Sequence, residues 1–341
     1  MTRWNHRQAP NPTPTLATAL TRYLAEVSPR KKGSATDASI ARRWIETPLA
    51  NRRLSSIADT DISEISDAWL NRLAPATVVR RLALLSHLYT VARKTWKFRT
   101  LVNPLQFVDR PAVDDSRERR IYDNIRLRGV PVSECPRSEL EWLLRSTRST
   151  ELPTIMVIAA ESGMRRSELV VTARRERIDL VHGVVHLDDT KNGRSRAVPL
   201  TPWALAWLKL YLAGRPSRGR IFTISPSAAT RAFARARARA RKDYEALCAK
   251  YGRKPKPEYF VDLRLHDLRH EATSRLAEVY PIHKLAKVTG HIDTRMLLRY
   301  YHPSGRELAK ELARSPLGRR QRAQLAAGFT PAQRVQLVHP N

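Results

Sequence analysis

The sequence predicts a mainly α-helical protein of two domains, with a small antiparallel β-sheet confined to the second. Three observations carry this expectation. The chain has 341 residues, enough for about two domains that each bury a core. Apolar residues recur at spacings of three and four over most of its length. One window, from Ile178 to Pro199, switches to a period of two and is punctuated by turn dipeptides.

Residues 1–14 hold three prolines and no apolar period, and read as a flexible arm. Thr15 supplies an N-cap, after which Leu16, Leu20, Leu24 and Val27 share a helix face. A basic loop, Pro29–Gly33, leads to a second helix near Asp37–Trp44, and Ile62–Leu73 gives a third. The longest helix follows Ala74-Pro75. Thr77 is placed to cap it, Val78, Leu82, Leu85 and Tyr89 share its apolar face, and Arg80 and Arg81 lie off that face. Residues 15–110 are expected as a small helical domain with arginine and lysine outside its apolar stripes. Arg80 and Arg81 are candidates for DNA contact or simply members of a solvated face.

Residues 111–131 are charged and lack a period, as expected of an interdomain linker. Their cluster of Arg117, Arg119 and Arg120 is open to two readings, a solvated linker or a phosphate contact. In the second domain, 132–303, helices are expected over Ser138–Thr147 and Leu152–Glu161. Ser162-Gly163 then interrupts the pattern before another helix opens at Met164. Strands follow at Ile178–Leu180, Val184–Leu187 and Arg196–Pro199, with turns at His182-Gly183 and Asn192-Gly193; Asn-Gly is the stronger hairpin signal. The chain is helical again from Pro202, except at Tyr251–Pro257. Arg231–Arg241 largely alternates Arg with Ala, and because both favour helix it reads as a helix with arginine on most faces. It belongs to a basic stretch, 231–260, open to two readings, an extra DNA-binding insertion or a solvated loop. Residues 304–341 give one helix, Arg306–Ala313, and a basic, loosely patterned tail.

Lys and Arg number 62 against 32 Asp and Glu, a net charge of +30. A chain this basic repels itself unless a polyanion is near, and nucleic acid is the expected partner, ahead of an anionic membrane or the ribosome. Two cysteines, Cys135 and Cys248, are too few for a disulfide framework or a Cys-based zinc site. No run approaches the ~18 apolar residues of a membrane span. The start of the chain has no signal-peptide core. The expectation is a cytoplasmic protein with no membrane association.

Five segments of the second domain carry residues suited to phosphate chemistry. In Glu161-Ser-Gly-Met-Arg165-Arg-Ser-Glu168 a cation sits near a helix start, where the dipole disfavours it unless an anion shares the site, and Glu168 can orient the guanidinium. Lys191 stands at the mouth of the Asn192-Gly193 turn. His266 and Arg269 are three apart on one helix face. His266-Asp-Leu-Arg-His270 also looks like the HExxH zinc signature with Asp for Glu, but zinc would need a third ligand nearby, the shorter Asp would have to reach the water, and the arginines would be left unexplained. His270 reads as a buried structural histidine. Thr289-Gly290-His291 and Arg299-Tyr300-Tyr301-His302 complete the set, with His291 nine positions before Tyr300. Each segment alone is also compatible with a surface ion pair, a solvated lysine or a core tyrosine.

Taken in order, these segments resemble the tyrosine recombinase, or phage integrase, family, with its Gly-[Leu/Met]-Arg, hairpin Lys, His-x-Leu-Arg-His, Gly-His and Arg-Tyr-x-His motifs. The stretches LALLSHLYTVARKTW, IDLVHGVVHLDDTKNGRSRAVPL and HDLRHEA are especially like the shufflon-specific recombinases, a branch that inverts DNA segments. The resemblance implies a helical SAM-like core-binding domain followed by an α/β catalytic domain. It implies a site-specific recombinase in which Arg165 and Arg269 clamp a scissile phosphate and His291 bonds the same oxygens. Tyr300 would be the nucleophile of a 3′-phosphotyrosyl bond, Lys191 the acid at the leaving 5′ oxygen, and His266 would assist proton transfer at the tyrosine oxygen. Adjacent helix positions point about 100° apart, so only one of Tyr300 and Tyr301 can face the phosphate, and the spacing selects Tyr300. No cofactor, metal or ATP is implied. The implied partners are double-stranded DNA, four copies of the chain on paired sites and accessory DNA-bending proteins. A topoisomerase-like or DNA-end-resolving enzyme with the same chemistry is the alternative, and a DNA-binding regulator with a dead site is disfavoured by the filled catalytic positions.

Overall fold

The computed structural model describes residues 12–31, 33–113, 117, 119–188, 195–301 and 304–328. The chain divides into two compact units, one ending at residue 117 and the other beginning at 118. The first unit is built from α1 (Leu16–Glu26), α2 (Ser34–Ile45), α3 (Asp59–Leu70) and α4 (Pro75–Lys94). Thr15 caps α1 as expected, its hydroxyl accepting from the Thr18 N–H at 3.3 Å. The start of α4 differs from expectation. Ala74 is the cap and Pro75 the first helical residue, which leaves Thr77 inside the first turn. Proline has no N–H to leave unsatisfied there, so the helix opens earlier than a side-chain cap would require. Val78, Leu82, Leu85 and Tyr89 are all buried, and they pack with Leu16, Leu20, Tyr23 and Trp44. Arg81 stacks over Trp69 at 4.3 Å, whereas Arg80 is exposed.

The second unit contains α5 (Glu139–Ser146), α6 (Leu152–Ser162) and the strands β1 (Ile178–Asp179), β2 (Val184–Leu187) and β3 (Arg196–Pro199). Helices α7 (Pro202–Leu212), α8 (Pro226–Lys250), α9 (Asp267–Val279), α10 (Ile282–Thr289) and α11 (Arg295–Leu298) follow. The last two are α12 (Gly305–Arg314) and α13 (Pro316–Ala326). The strands form one antiparallel sheet in the order β1-β2-β3, with Val185 opposite both Ile178 and Val198. The Asn192-Gly193 turn lies outside the described residues. Helix α6 is buried on almost every side and packs between α7 and α9, which explains why its sequence is apolar without a polar face.

In α8 the alternating Arg-Ala sequence resolves into a buried stripe of Ala229, Ala232, Phe233, Ala236, Ala240 and Tyr244. Three of its arginines are committed to carbonyls: Arg237 to Leu263, Arg239 to Ser146 and Arg241 to Tyr259, at 2.8, 2.6 and 2.9 Å. Arg231 and Arg235 are exposed. Residues expected as linker contribute to this unit from Arg119 onward. Arg119 pairs with the fully buried Glu139 at 2.5 Å, Arg120 pairs with Glu271 at 2.8 Å, and Ile125 is buried. Helix α13 departs from the expected loose tail. Pro316 opens it and the Ser315 hydroxyl accepts from the Gly318 N–H, signals that lie in the cap and not in an apolar stripe.

Most apolar side chains of the unit form one core, but Leu276, Leu285, Val288 and Leu297 form a separate small cluster. Tyr300 and Tyr301 pack against that cluster. Among the described residues no helix is long and apolar enough to cross a membrane.

Candidate active site

Helix α6 ends at Gly163, whose φ of 65° is in the left-handed region that glycine tolerates. The chain then reaches Arg165 ahead of a helical turn that widens into a π turn at Glu168–Thr172, and not inside a helix opening at Met164. The Arg165 backbone N–H donates to Glu168 Oε2 at 2.7 Å, and its guanidinium donates to Oε1 at 2.8 Å. Glu168 is 1% exposed. From β3, the Arg196 fork donates to the same two oxygens at 2.9 and 2.7 Å. Burial works to raise the Glu168 pKa. The hydrogen bonds and charge of Arg196, with those of Arg165, outweigh it and hold the carboxyl below its usual range.

Arg269, on α9, is 5% exposed. It donates to the carbonyl of Gly163 and, at 2.9 Å, to that of Thr289. Arg165 donates to the next carbonyl, Gly290, at 2.8 Å. The two guanidiniums therefore hang on consecutive carbonyls of one turn. Gly290 sits there at φ 70°, and a Cβ at this position would collide with the Arg196 guanidinium. Desolvation, then the charge of Arg165, pushes the Arg269 pKa down to about 9, which still leaves it charged at neutral pH.

His291 follows this turn. The Thr289 hydroxyl spends its proton on the Leu285 carbonyl at 2.7 Å, so it accepts from His291 Nδ1–H, also at 2.7 Å. This leaves Nε2 unprotonated and facing Arg269 Nη2 at 3.4 Å. Desolvation, with Arg269 and Arg165, pushes the His291 pKa down to about 4. The imidazole is neutral until an anion arrives to offset those cations.

His266 is the N-cap residue of α9 and is exposed, with its ring edge-on to His270 at 5.1 Å between centroids. Desolvation of the ring, then the charges of His270 and Arg269, holds its pKa down at about 4. Tyr300, just beyond α11, is half-buried, and its Oη lies 2.7 Å from His270 Nδ1. Burial raises its pKa against the pull of Arg299, Arg269 and Arg120. Tyr301 points elsewhere, donating to the Tyr280 carbonyl at 2.5 Å. Lys191 lies outside the described residues.

The fold thus brings Arg165, Arg269 and His291 to one turn and sets Tyr300 against α9, the helix that His266 caps and Arg269 belongs to. Three neighbours were not among the sequence candidates. Arg196 gives no local signal, because its partner Glu168 is 28 residues away. Thr289 opens the Thr-Gly-His segment in the sequence, but its hydroxyl carries no assigned role there and proves to hold the imidazole. His270 shares the face of His266 four positions on, but was read as structural only. Among the described residues no group of three His, Cys, Asp or Glu is placed to hold a metal ion, so the zinc reading of His266 and His270 finds no third ligand there. Arg165 and Arg196 share a single carboxylate and Arg269 is held by carbonyls, and this excess of fixed donors and positive charge suits an oxyanion that gains charge during reaction.

Residues 137–307 match the phage integrase family. The chain is 33% identical to the shufflon-specific DNA recombinase of Escherichia coli over 93% of its own length and 75% of that protein's. Among solved structures, a Tn1549 transposon integrase in complex with a circular intermediate DNA superposes with a TM-score of 0.58 at 16% identity, covering 88% of this chain and 99% of that one. A lambda integrase tetramer bound to a Holliday junction gives 0.59 at 18% identity, covering 86% of this chain and 79% of that one. These two likenesses show a shared fold.

Proposed function

As a member of the phage integrase family, to which this chain belongs, the protein is a site-specific DNA recombinase, and we propose that it cuts and rejoins duplex DNA through a covalent bond on Tyr300. The observation that carries the residue assignment is the pair of guanidiniums, Arg165 and Arg269, hung on the consecutive carbonyls of Gly290 and Thr289, beside His291. A phosphodiester repels nucleophiles, and fixed cations must offset that repulsion as charge builds on its non-bridging oxygens. Two arginines do this at any working pH, each through a planar fork.

Tyr300 Oη gives up its proton to a neighbouring imidazole as it attacks phosphorus, the bond to the 5′ oxygen breaks, and that oxygen takes a proton from Lys191, the position that matches the hairpin lysine of the family. The product is a 3′-phosphotyrosyl strand and a free 5′ hydroxyl. The phosphoryl linkage is conserved, so attack by a second 5′ hydroxyl reverses the step without nucleotide hydrolysis. His291 takes up a proton at Nε2 when the phosphate enters and donates to it. His266, at the exposed start of α9, is a further proton-handling group. The net charge of +30 and the exposed Arg80, Arg231 and Arg235 support DNA as the partner. One structural neighbour is a tetramer on a Holliday junction, which supports four copies of this chain acting on two paired sites. Accessory DNA-bending proteins belong to this same reading, as does action in the cytoplasm.

The test is a suicide DNA substrate whose cleaved strand loses its 5′ end by diffusion, followed by denaturing gel electrophoresis. Wild type and Tyr301→Phe should trap an SDS-resistant protein–DNA adduct, and Tyr300→Phe should trap none. An adduct with Tyr300→Phe, or none with wild type on its own recombination site, overturns the assignment.

A further inference from the structure

The hydrogen bond made by the Tyr300 hydroxyl is not to either of the histidines in the proposed catalytic set. It is to His270, at 2.7 Å from Nδ1. The two rings are tilted at 33° with centroids 6.4 Å apart, so the phenol meets Nδ1 at the ring edge and not over the ring face; with the phenol protonated its O–H donates and Nδ1 accepts. His270 is half-buried on α9, one residue after the phosphate-clamping Arg269. Its position is fixed by the same helix that fixes the clamp.

We propose that His270 is a catalytic residue, the group that takes the proton from Tyr300 as the phosphotyrosyl bond forms. The proposal rests on the reading of Tyr300 as nucleophile. The Tyr300 O–H bond breaks as its oxygen bonds to phosphorus, the proton passes to His270 Nδ1, and the bond from phosphorus to the 5′ oxygen breaks with protonation of that oxygen. Rejoining runs the transfer backwards, with imidazolium returning the proton to the departing phenol.

The surroundings favour this division of labour. Burial holds the Tyr300 phenol above its ordinary pKa, so at neutral pH it needs an acceptor. The charged and titratable groups about the pair are His266 and Arg269 from the start of α9, His291 beyond α10, Arg299 beside Tyr300, and Arg120 from the preceding segment, itself paired with Glu271. The arginines stabilise a developing phenolate. His266, edge-on to His270 at the exposed end of the helix, is placed to pass the proton on to solvent.

The experiment measures single-turnover formation of the covalent adduct between pH 6 and 10 on the suicide substrate. It compares wild type, Tyr300→Phe, His266→Asn and His270→Asn. Asparagine puts an amide near the position of Nδ1, so it keeps a hydrogen bond to the phenol without a titrating nitrogen. The expected result is a loss of roughly a hundredfold or more at pH 7 for His270→Asn, the usual scale of general-base catalysis. The deficit should narrow steadily as rising pH ionises the phenol directly. DNA binding measured by fluorescence anisotropy should stay at the wild-type level. A rate within about threefold of wild type across the range overturns the proposal, and so does a loss that does not vary with pH, which would make His270 a positioning residue only. If the asparagine variant does not fold, His270→Gln is assayed in its place with the same two criteria. Failure of the Tyr300 reading looks different, because the adduct would then persist in Tyr300→Phe whatever stands at 270.

Discussion

Replacing Glu168 with glutamine should unfold the second unit at a markedly lower temperature while leaving the first unit untouched. The carboxylate accepts four donors, two at each oxygen: Arg165 N and Arg196 Nη2 at Oε2, and Arg165 Nη1 and Arg196 Nη1 at Oε1. An amide, whichever way it is turned, sets its own NH2 against two of those donors and removes the one negative charge between the two guanidiniums. Arg196 has only 8% of its side chain exposed, so it cannot recover the loss from water. Removing one partner of a buried ion pair costs about 3–5 kcal/mol. For a domain of this size each kcal/mol moves the midpoint by roughly 2–4 °C, which gives a fall of roughly 6–20 °C. Differential scanning calorimetry of the whole chain reads this directly, with the transition of the first unit as internal reference. Excess sulfate should restore part of the loss by supplying an anion to Arg165. A shift of the second-unit midpoint below about 2 °C would refute the claim that this carboxylate neutralises the arginine cluster.

Other outcomes follow from the same geometry. His291 is held neutral, with a pKa of about 4 against the ordinary histidine value of 6.5. The unfolded chain therefore binds a proton that the folded chain does not, and stability should decline as pH falls from about 6.5 towards 4; the depressed carboxyl of Glu168 adds to the decline at the acid end. His266, held down to about 4 as well, contributes over the same window, so urea midpoints measured against pH should show this slope and His291→Gln should remove roughly half of it. Gly290→Ala should cut adduct formation by more than tenfold, since it forces a Cβ into the Arg196 guanidinium at a left-handed backbone position, and heteronuclear NMR of the arginine side chains should report the displaced fork. Arg80→Ala should lower the slope of log affinity against log salt by about one while leaving the melting midpoint unchanged. Arg81→Ala should do the reverse, because that side chain is stacked on Trp69.

The parts legible in the sequence are those where one helix or strand face meets one core. Spacings of three and four located α1 and α4 through Leu16, Leu20, Val78 and Leu82, and the switch to period two located β2 and β3. Arg165, Arg269 and His291 were legible as an ordered set, and the structure collects them at one turn. Partners drawn from elsewhere in the chain were not legible. Nothing near Arg196 marks it as the second claimant on Glu168, and nothing near His270 distinguishes a core histidine from one facing a hydroxyl 30 residues on. Periodicity reports which side of an element is dry, and is silent on what lies across it. Helix α13 escaped for a different reason, since its start is written in Ser315 and Pro316 while its body is basic and only thinly apolar. Arg119 and Arg120 looked like linker charge because their carboxylate partners, Glu139 and Glu271, belong to other helices.

The segment that carries Tyr300 is anchored in the small cluster of Leu276, Leu285, Val288 and Leu297, apart from the main core that holds α6. Cooperative units with few buried apolar side chains open at lower free energy than the body they attach to. Warming or mild denaturant should therefore loosen the stretch from α10 to Tyr301 first, with the α6 platform still folded. Heat inactivation would then precede loss of helical content, and a preparation could retain its full circular dichroism signal after its cutting power has gone. Because Arg165 and Arg269 hang on the Gly290 and Thr289 carbonyls of that same stretch, its loosening should release the arginine pair together with Tyr300.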